Sequence, residues 1–353
     1  MDGALQELRH RVMQAHGAST PLRLRGAGTK DFYGERCEGA LLDMRSYCGV
    51  VDYEPSELVI TARCGTPLSE LEGLLAQHRQ FLAFEPPAFG GDPTIGGVIA
   101  AGLSGPRRVQ AGAARDFVLG AVLLCAQGEL LHFGGKVIKN VAGFDLSRLL
   151  CGSLGILGAI TQVSLKVLPL PPMEQTLQFE MASSEALALF NRWAGQPLPI
   201  SATAWHDGRA WLRLSGAPPA LRTARERLGG ELLEAAAASR LWRSLRDQTH
   251  TFFERASALW RLSLPSTAGE IAGADSQLIE WGGALRWCAG DLPAADLRQR
   301  AEAVGGTAMH WRGGSAGGRF HSLSPVVLEI HRRLKLRFDP HGIFNPGRLI
   351  ADL

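Results

Sequence analysis

Apolar positions along the first 170 residues switch repeatedly between helical and strand spacing. Leu5, Leu8, Val12 and Met13 recur at helical spacing and predict an amphipathic helix over 4–16. Leu22 and Leu24 alternate with Arg23 and Arg25, a strand that runs straight into Gly26-Ala27-Gly28-Thr29-Lys30. Val50–Tyr53 and Leu58–Cys64 read as strands flanking a Glu54-Pro55 turn. Thr66 is placed to cap a helix with Pro67 at its first position and Leu68, Leu71 and Leu75 on its buried face. Thr94 is placed to cap a short Gly/Ala helix. Phe117–Ala126 and Leu130–Phe133 form a hairpin across Gln127-Gly128, a short helix follows Asp145, and a strand over Ala159–Val167 ends the unit.

Leu168-Pro169-Leu170-Pro171-Pro172 is the clearest boundary in the chain. All three Tyr lie before it and all eight Trp after it, so the two parts have different cores. Beyond it the pattern reads strand (175–181), helix (183–195), a hairpin turning at Asp207-Gly208, and helices over 218–228 and 236–249. A strand at Leu259–Leu264, a hairpin at Gly282-Gly283, a helix (293–304), a strand (306–311) and a helix (324–337) complete it. Hairpins mixed with helices predict the α+β class with an antiparallel sheet in the second part, and no short-period repeat is present.

Composition narrows the function classes. Apolar residues make up 46% and charged residues 20%, an ordinary globular balance. A formal charge of +3 on 353 residues argues against nucleic acid as the main partner. The dense basic run, His331–Arg337, lies on a predicted helix and reads as a solvated face or a docking surface for an acidic partner. The six Cys at 37, 48, 64, 125, 151 and 288 show no CxxC spacing and read as buried free thiols of a cytoplasmic protein, not as an iron–sulfur or zinc framework. The N-terminus lacks the apolar core of a signal peptide, and no apolar run is long enough to span a membrane.

Glycine concentrates where chemistry is expected. Fifteen of the 42 Gly fall between Gly90 and Gly158, threaded between apolar strands, so bare backbone is presented on a packed scaffold. Such backbone amides suit a phosphate-bearing cofactor. Gly26-Ala27-Gly28 follows a strand, but a Rossmann GxGxxG would need Gly at 31, where Asp31 stands, and the P-loop spacing is absent. Instead four glycine segments follow in order: Gly26–Asp31, Thr94–Gly105, Lys139–Asp145 and Gly152–Gly158.

Residues 1–172 thereby resemble the FAD-binding domain of the vanillyl-alcohol oxidase/PCMH superfamily. Across nearly its whole length the chain is similar to the FAD-binding E subunits of bacterial glycolate oxidase (glycolate dehydrogenase). PSELVITARCGTPL, AGLSGPRR, RDFVLG, FGGKVIKNVAGFDLSRL, WRLSLP, WGGALRW and DPHGIFNPGRL carry the likeness. The resemblance implies a two-lobed PCMH-type FAD-binding domain (1–172), an α+β cap (173–335) and a tail (336–353) that returns to the first domain. It implies that Arg25, Gly26, Ala27, Gly28, Thr29, Lys30 and Asp31 wrap the pyrophosphate. Thr94, Ile95, Gly96, Gly97, Ala100, Gly102 and Gly105 would run beside the ribityl and diphosphate. Lys139, Asn140, Gly143 and Asp145, with Gly155, Gly158 and Ile160, would line the flavin, and Asn345 would approach it from the tail. Relatives that tether FAD use a His just after the first glycines; Thr29-Lys30 stands there, so FAD is expected to be non-covalent.

Oxidation of a 2-hydroxy acid needs a hydride acceptor, a base and cations for the carboxylate. The His-rich metal motif of related catalytic subunits is missing, and the ten His are dispersed, so no metal site is expected. Arg261, Arg286 and His321 are the candidates for chemistry; a strand residue facing water is the alternative for each Arg, and an ordinary polar residue flanking a helix for His321. His206 beside Asp207-Gly208 reads as a hairpin-end residue, and the Trp residues as core. The resemblance implies a division of labour with a homologous FAD-binding catalytic subunit and an iron–sulfur subunit. Glycolate would be the substrate, and the location cytoplasmic or peripheral at the inner membrane through those partners. Alternatives are a stand-alone FAD oxidoreductase of another 2-hydroxy acid or sugar, and a non-catalytic flavin-binding scaffold.

Overall fold

A computed structural model describes residues 2–135, 145–271, 273–313, 318–351 and 353. Its first helix, α1 (Gly3–Ala18), begins where the Asp2 carboxylate accepts the Ala4 amide at 3.0 Å. Leu5, Leu8, Val12 and Ala15 form the buried stripe. Met13 is 53% exposed, against expectation, because it lies about 100° round the helix from Val12 and Ala15 takes its place.

β1 (Leu22–Arg25) pairs in parallel with β2 (Ala40–Asp43), and Phe344 of the tail bridges Leu22. There follow β3 (Val50–Glu54), β4 (Val59–Arg63), α2 (Leu68–Gln77), β5 (Gln80–Phe81) and α3 (Ile95–Ala101). Two single turns, α4 (Arg108–Ala111) and α5 (Ala114–Phe117), lead into β6 (Val118–Leu124) and β7 (Leu130–Gly134). Then come α6 (Leu146–Leu149), β8 (Ala159–Lys166) and β9 (Leu168–Pro169), the last paired with β5. The antiparallel sheet runs β3-β4-β8-β6-β7, with β6 buried at all seven positions. Leu123 joins the core made by α2 and α3, whereas Leu124 joins the core made by α1. The cap of α2 is one residue later than expected. Pro67 is the cap, since the Thr66 hydroxyl is taken by the Gly49 amide (2.8 Å) and the Arg63 carbonyl (2.7 Å).

The second part contains β10 (Met173–Glu180), α7 (Ser183–Ala194), β11 (Ile200–His206), β12 (Arg209–Gly216), α8 (Pro218–Leu228) and β13 (Glu231–Leu232). It continues through α9 (Ala235–Asp247), α10 (Thr251–Arg255), β14 (Leu259–Ser263), β15 (Ser276–Glu280), a tight turn at Trp281–Gly283 and β16 (Leu285–Ala289). α11 (Ala294–Ala303) and β17 (Thr307–Arg312) close an eight-stranded antiparallel sheet of order β13-β10-β12-β11-β15-β16-β14-β17. One face packs on α7, α8 and α11; the other, with Trp211, Trp287 and Trp311, packs against Leu103 and Leu154 of the first domain. Most of the Trp residues are therefore core, placed where the cap covers its neighbour. Fold class and antiparallel cap agree with the sequence reading.

α12 (Pro325–Phe338) does not belong to the cap. Leu334 and Phe338 pack against the first domain's core, so a boundary at 335 falls inside a helix that already lies on that domain. The thiols also differ: Cys64, Cys125 and Cys288 are buried, but Cys48 is exposed and Cys37 and Cys151 are half-buried. Among the described residues, no helix is long and apolar enough to cross a membrane.

Candidate cofactor site

β1 ends at Arg25, and the chain then turns through Gly26–Asp31 over the start of α3 and the turn at Leu154–Gly158. These segments and the tail enclose a cavity of about 560 Å³. The loop is shaped by close approach. A Cβ at Gly26 would overlap the Thr94 hydroxyl, which accepts the Gly97 amide at 3.3 Å and caps α3. Gly28 sits at φ +78, and a Cβ there would overlap the Arg25 guanidinium, which pairs with Asp31 at 2.8 Å. A Cβ on Gly96 would stand 2.6 Å from that of Cys64, so α3 rests directly on the end of β4.

None of the backbone N–H groups of Gly26, Ala27, Gly28, Thr29 and Lys30 has a protein acceptor among the described residues. All five residues line the cavity. Donors left without a protein partner need water or a ligand. Arg23, Arg25, Lys30, Arg36, Arg319 and Arg348 line the same space against the carboxylates Asp31 and Glu35. Successive amides plus excess positive charge fit a dinucleotide's diphosphate. Burial lowers Lys30 to about 8, and its ammonium lies 5.5 Å from the Phe89 ring centre.

The tail holds this loop in place. Asn345 accepts the Leu24 amide at 2.8 Å and donates to the Leu154 carbonyl at 2.7 Å, joining β1 to the facing turn. Arg348 donates to the carbonyls of Lys30 (3.1 Å), Asp31 (3.0 Å) and Glu35 (2.9 Å). The tail is itself pinned by Lys335, whose buried ammonium donates to Ile156 O and Phe344 O at 2.8 Å and to Asp339 at 2.7 Å.

Arg25 through Asp31 line the cavity, as do Thr94, Gly96, Gly97, Ala100, Gly155, Gly158, Ile160 and Asn345. Four other residues do not. Ile95 points into the core beneath. Gly102 lets α3 end against Gly152, and Gly105 lies against Glu85. Asp145 caps α6 and pairs with Arg148 at 2.8 Å. Lys139, Asn140 and Gly143 lie outside the described residues. Arg23, Phe32, Cys37, Arg319 and Arg348 line the cavity without having been marked as site residues by the sequence; of these arginines only Arg348 stands in a segment that carries the family likeness.

The candidates for chemistry separate. Arg286 is fully buried, and its guanidinium donates to the carbonyls of Gly283, Gly269 and Ala268, so it faces neither a cleft nor water and ties the loop before β15 to the Trp281–Gly283 turn. His321 lies 3.1 Å from Glu302 of α11 through Nε2, while Nδ1 accepts the Ala308 amide at 3.3 Å; it is a strand-flanking residue outside the cavity. His206 is held through Nδ1 at 2.9 Å from the Gln277 carbonyl. Arg261 alone stands on the cap face turned to the first domain. It lies beside Trp281, Trp287 and the buried Glu280, a residue the sequence reading did not mark. Burial pushes Glu280 up to about 7, with the Trp287 indole N–H donating to it at 2.9 Å.

Loop, basic rim and antiparallel cap define a flavoprotein of the FAD-binding class. Residues 4–134 match the family described as FAD binding domain. The chain is 44% identical over 348 residues to glycolate oxidase subunit GlcE of Escherichia coli (strain K12), covering 99% of this chain and 98% of that one. It is 34% identical over 161 residues to glycolate oxidase subunit GlcD of Bacillus subtilis (strain 168), covering 44% of this chain and 34% of that one. Alkyldihydroxyacetonephosphate synthase shares the fold, with a TM-score of 0.66 at 14% identity over 97% of this chain and 75% of that one. The chain belongs to the family of glycolate oxidase E subunits.

Proposed function

We propose that the chain is the E-type flavin subunit of a complex that oxidises glycolate to glyoxylate, and that it holds FAD without a covalent bond. The five amides of Gly26–Lys30, without a protein acceptor among the described residues and set in a basic cavity, carry this reading. Bound FAD supplies a two-electron acceptor. The loop amides hold the diphosphate in place of water, and Asn345 and Arg348 keep the loop rigid so that those donors are preorganised. Lys30, Arg23 and Arg319 neutralise the remaining charge, and the Trp face of the cap excludes water from one side. Thr29 and Lys30 offer no imidazole for a covalent link. Partners in the assembly are a homologous flavoprotein subunit of the GlcD type and an iron–sulfur subunit, with membrane contact made through them.

Co-purification from cells producing all the subunits, followed by glycolate-dependent reduction of a dye, tests the reading. Activity of the complex that disappears when this chain is omitted is the expected result. Flavin reduction by glycolate in the isolated chain, as fast as in the complex, would favour a stand-alone enzyme.

A further inference from the structure

The basic run of the sequence, His331–Arg337, lies on α12, whose two faces differ in what they meet. Leu334, Lys335 and Phe338 turn toward the first domain. The two apolar side chains pack on its core, and the buried Lys335 ammonium donates to Ile156 O, Phe344 O and Asp339. His331 turns back on its own helix, with Nδ1 2.8 Å from the Val327 carbonyl. At 3.6 residues per turn, Val326, Ile330, Arg333 and Arg337 then form one stripe on the opposite side, with Glu329 and Leu336 beside it.

That outward stripe is apolar as well as basic. Val326 is 72% exposed, Leu336 65% and Ile330 52%. Val326 and Leu336 are the two most exposed large apolar side chains among the described residues, and five of the fourteen such side chains fall between Leu323 and Leu336. Single exposed apolar residues are ordinary, whereas a cluster rimmed by charge marks a contact surface. Charge then says what fits. The exposed face carries Arg332, Arg333 and Arg337 against one carboxylate, Glu329, which pairs with Arg333 at 2.8 Å. The surplus is positive, so an acidic surface is complementary. The kind of cation separates protein from lipid. Every exposed cation of α12 is Arg, and its single Lys is the buried one. Protein interfaces are enriched in Arg and depleted in Lys. Glu329, in the midst of the face, would also be repelled by anionic headgroups.

We infer that the outward face of α12 is the docking surface for a partner subunit of the complex, one that presents carboxylates around an apolar centre. Val326, Ile330 and Leu336 supply the dry centre, and Arg333 and Arg337 supply the rim. Val326, Ile330, Arg333 and Arg337 follow the spacing with which a helix enters a groove. The inference rests on the complex proposed above and adds the surface by which this chain joins it. Because α12 also ties down the tail that carries Asn345 and Arg348, the docked subunit lies one helix away from the segment that shapes the cofactor loop.

The test uses the full chain produced together with its partner subunits and recovered through a tag on this chain. Ile330→Glu and Arg337→Glu are each expected to lower recovery of the partner subunits at least about tenfold, with Arg337→Lys falling between. An unchanged melting temperature of each variant alone shows that it is folded, since these side chains face water. Val326→Gln, a milder change on the same stripe, keeps the test readable if Ile330→Glu melts early. Undiminished recovery of partners with the folded variants overturns the docking face and leaves the complex intact. Binding of the isolated chain to phosphatidylglycerol–phosphatidylethanolamine vesicles, lost in the variants while the complex still assembles, assigns the face to lipid and overturns the inference. A dimer of the isolated chain lost in the same way overturns it too. Wild-type subunits that do not co-purify overturn both this inference and the function it rests on.

Discussion

Gly155 shows what a single residue contributes to the cofactor site. It sits at φ +75, and a Cβ would stand 2.8 Å from the Asn345 amide nitrogen, the group that ties the tail to Leu154. Gly155→Val is expected to weaken FAD binding more than tenfold, about 1.4 kcal/mol or more, read from the flavin-to-protein ratio after dialysis. Glu280 gives a second prediction. Burial holds its folded pKa at about 7, above the ordinary 4.5 that it keeps in the unfolded chain. The folded state therefore holds the proton more tightly, and stability contributed by Glu280 is full below about pH 4.5 and lost as pH rises to about 7. Melting temperature should fall across that window, and Glu280→Gln should flatten the slope while keeping an acceptor for Trp287. A variant with the wild-type slope would remove the argument. The glycines were legible because an absent side chain is itself a message in sequence; Glu280 was not, because its burial depends on a cap folding onto another domain.

Among the elements, the tail and α12 matter most. Lys335 donates to two carbonyls and to Asp339, which also accepts the amides of Ile343 (3.0 Å) and Phe344 (2.7 Å). Lys335→Met leaves a buried carboxylate without its cation and should cost about 3–5 kcal/mol in urea unfolding, with flavin lost in parallel because Asn345 and Arg348 hang from the same segment. Undiminished flavin content would show that the tail is not needed to shape the loop. Strands and long helices were legible from their periods. Turns of four residues such as α4 and α5 carry too few positions to show one, and β2 is exposed on two of its four. Thr66 looked like a cap because spacing alone cannot show that Gly49 had already taken its hydroxyl.

Across the whole molecule, the joint between the domains is electrostatic at one end and aromatic at the other. Glu85 is surrounded by Arg107 (3.1 Å) and Arg213 (2.9 Å). Burial raises its pKa, but the two arginines outweigh that and hold it below the usual carboxylate range. Its contribution to stability is present above the unfolded pKa near 4.5 and is lost as pH falls through the lower folded value. Glu85→Gln leaves the buried Arg213 without its carboxylate and Arg107 with Glu174 alone, and should loosen the cap, seen as faster limited proteolysis between the domains; an unchanged digestion rate would contradict this. The prolines of 168–172 mark the expected boundary in the sequence. The placement of α12 on the first domain was not legible, since a basic amphipathic helix carries no mark of which core receives it. We propose that this chain holds one FAD through the Gly26–Lys30 amides without a covalent bond. Acid precipitation of the purified chain is then expected to release yellow FAD to the supernatant at one per chain. A chromophore that stays in the pellet, or a colourless protein that takes up no FAD, would contradict it.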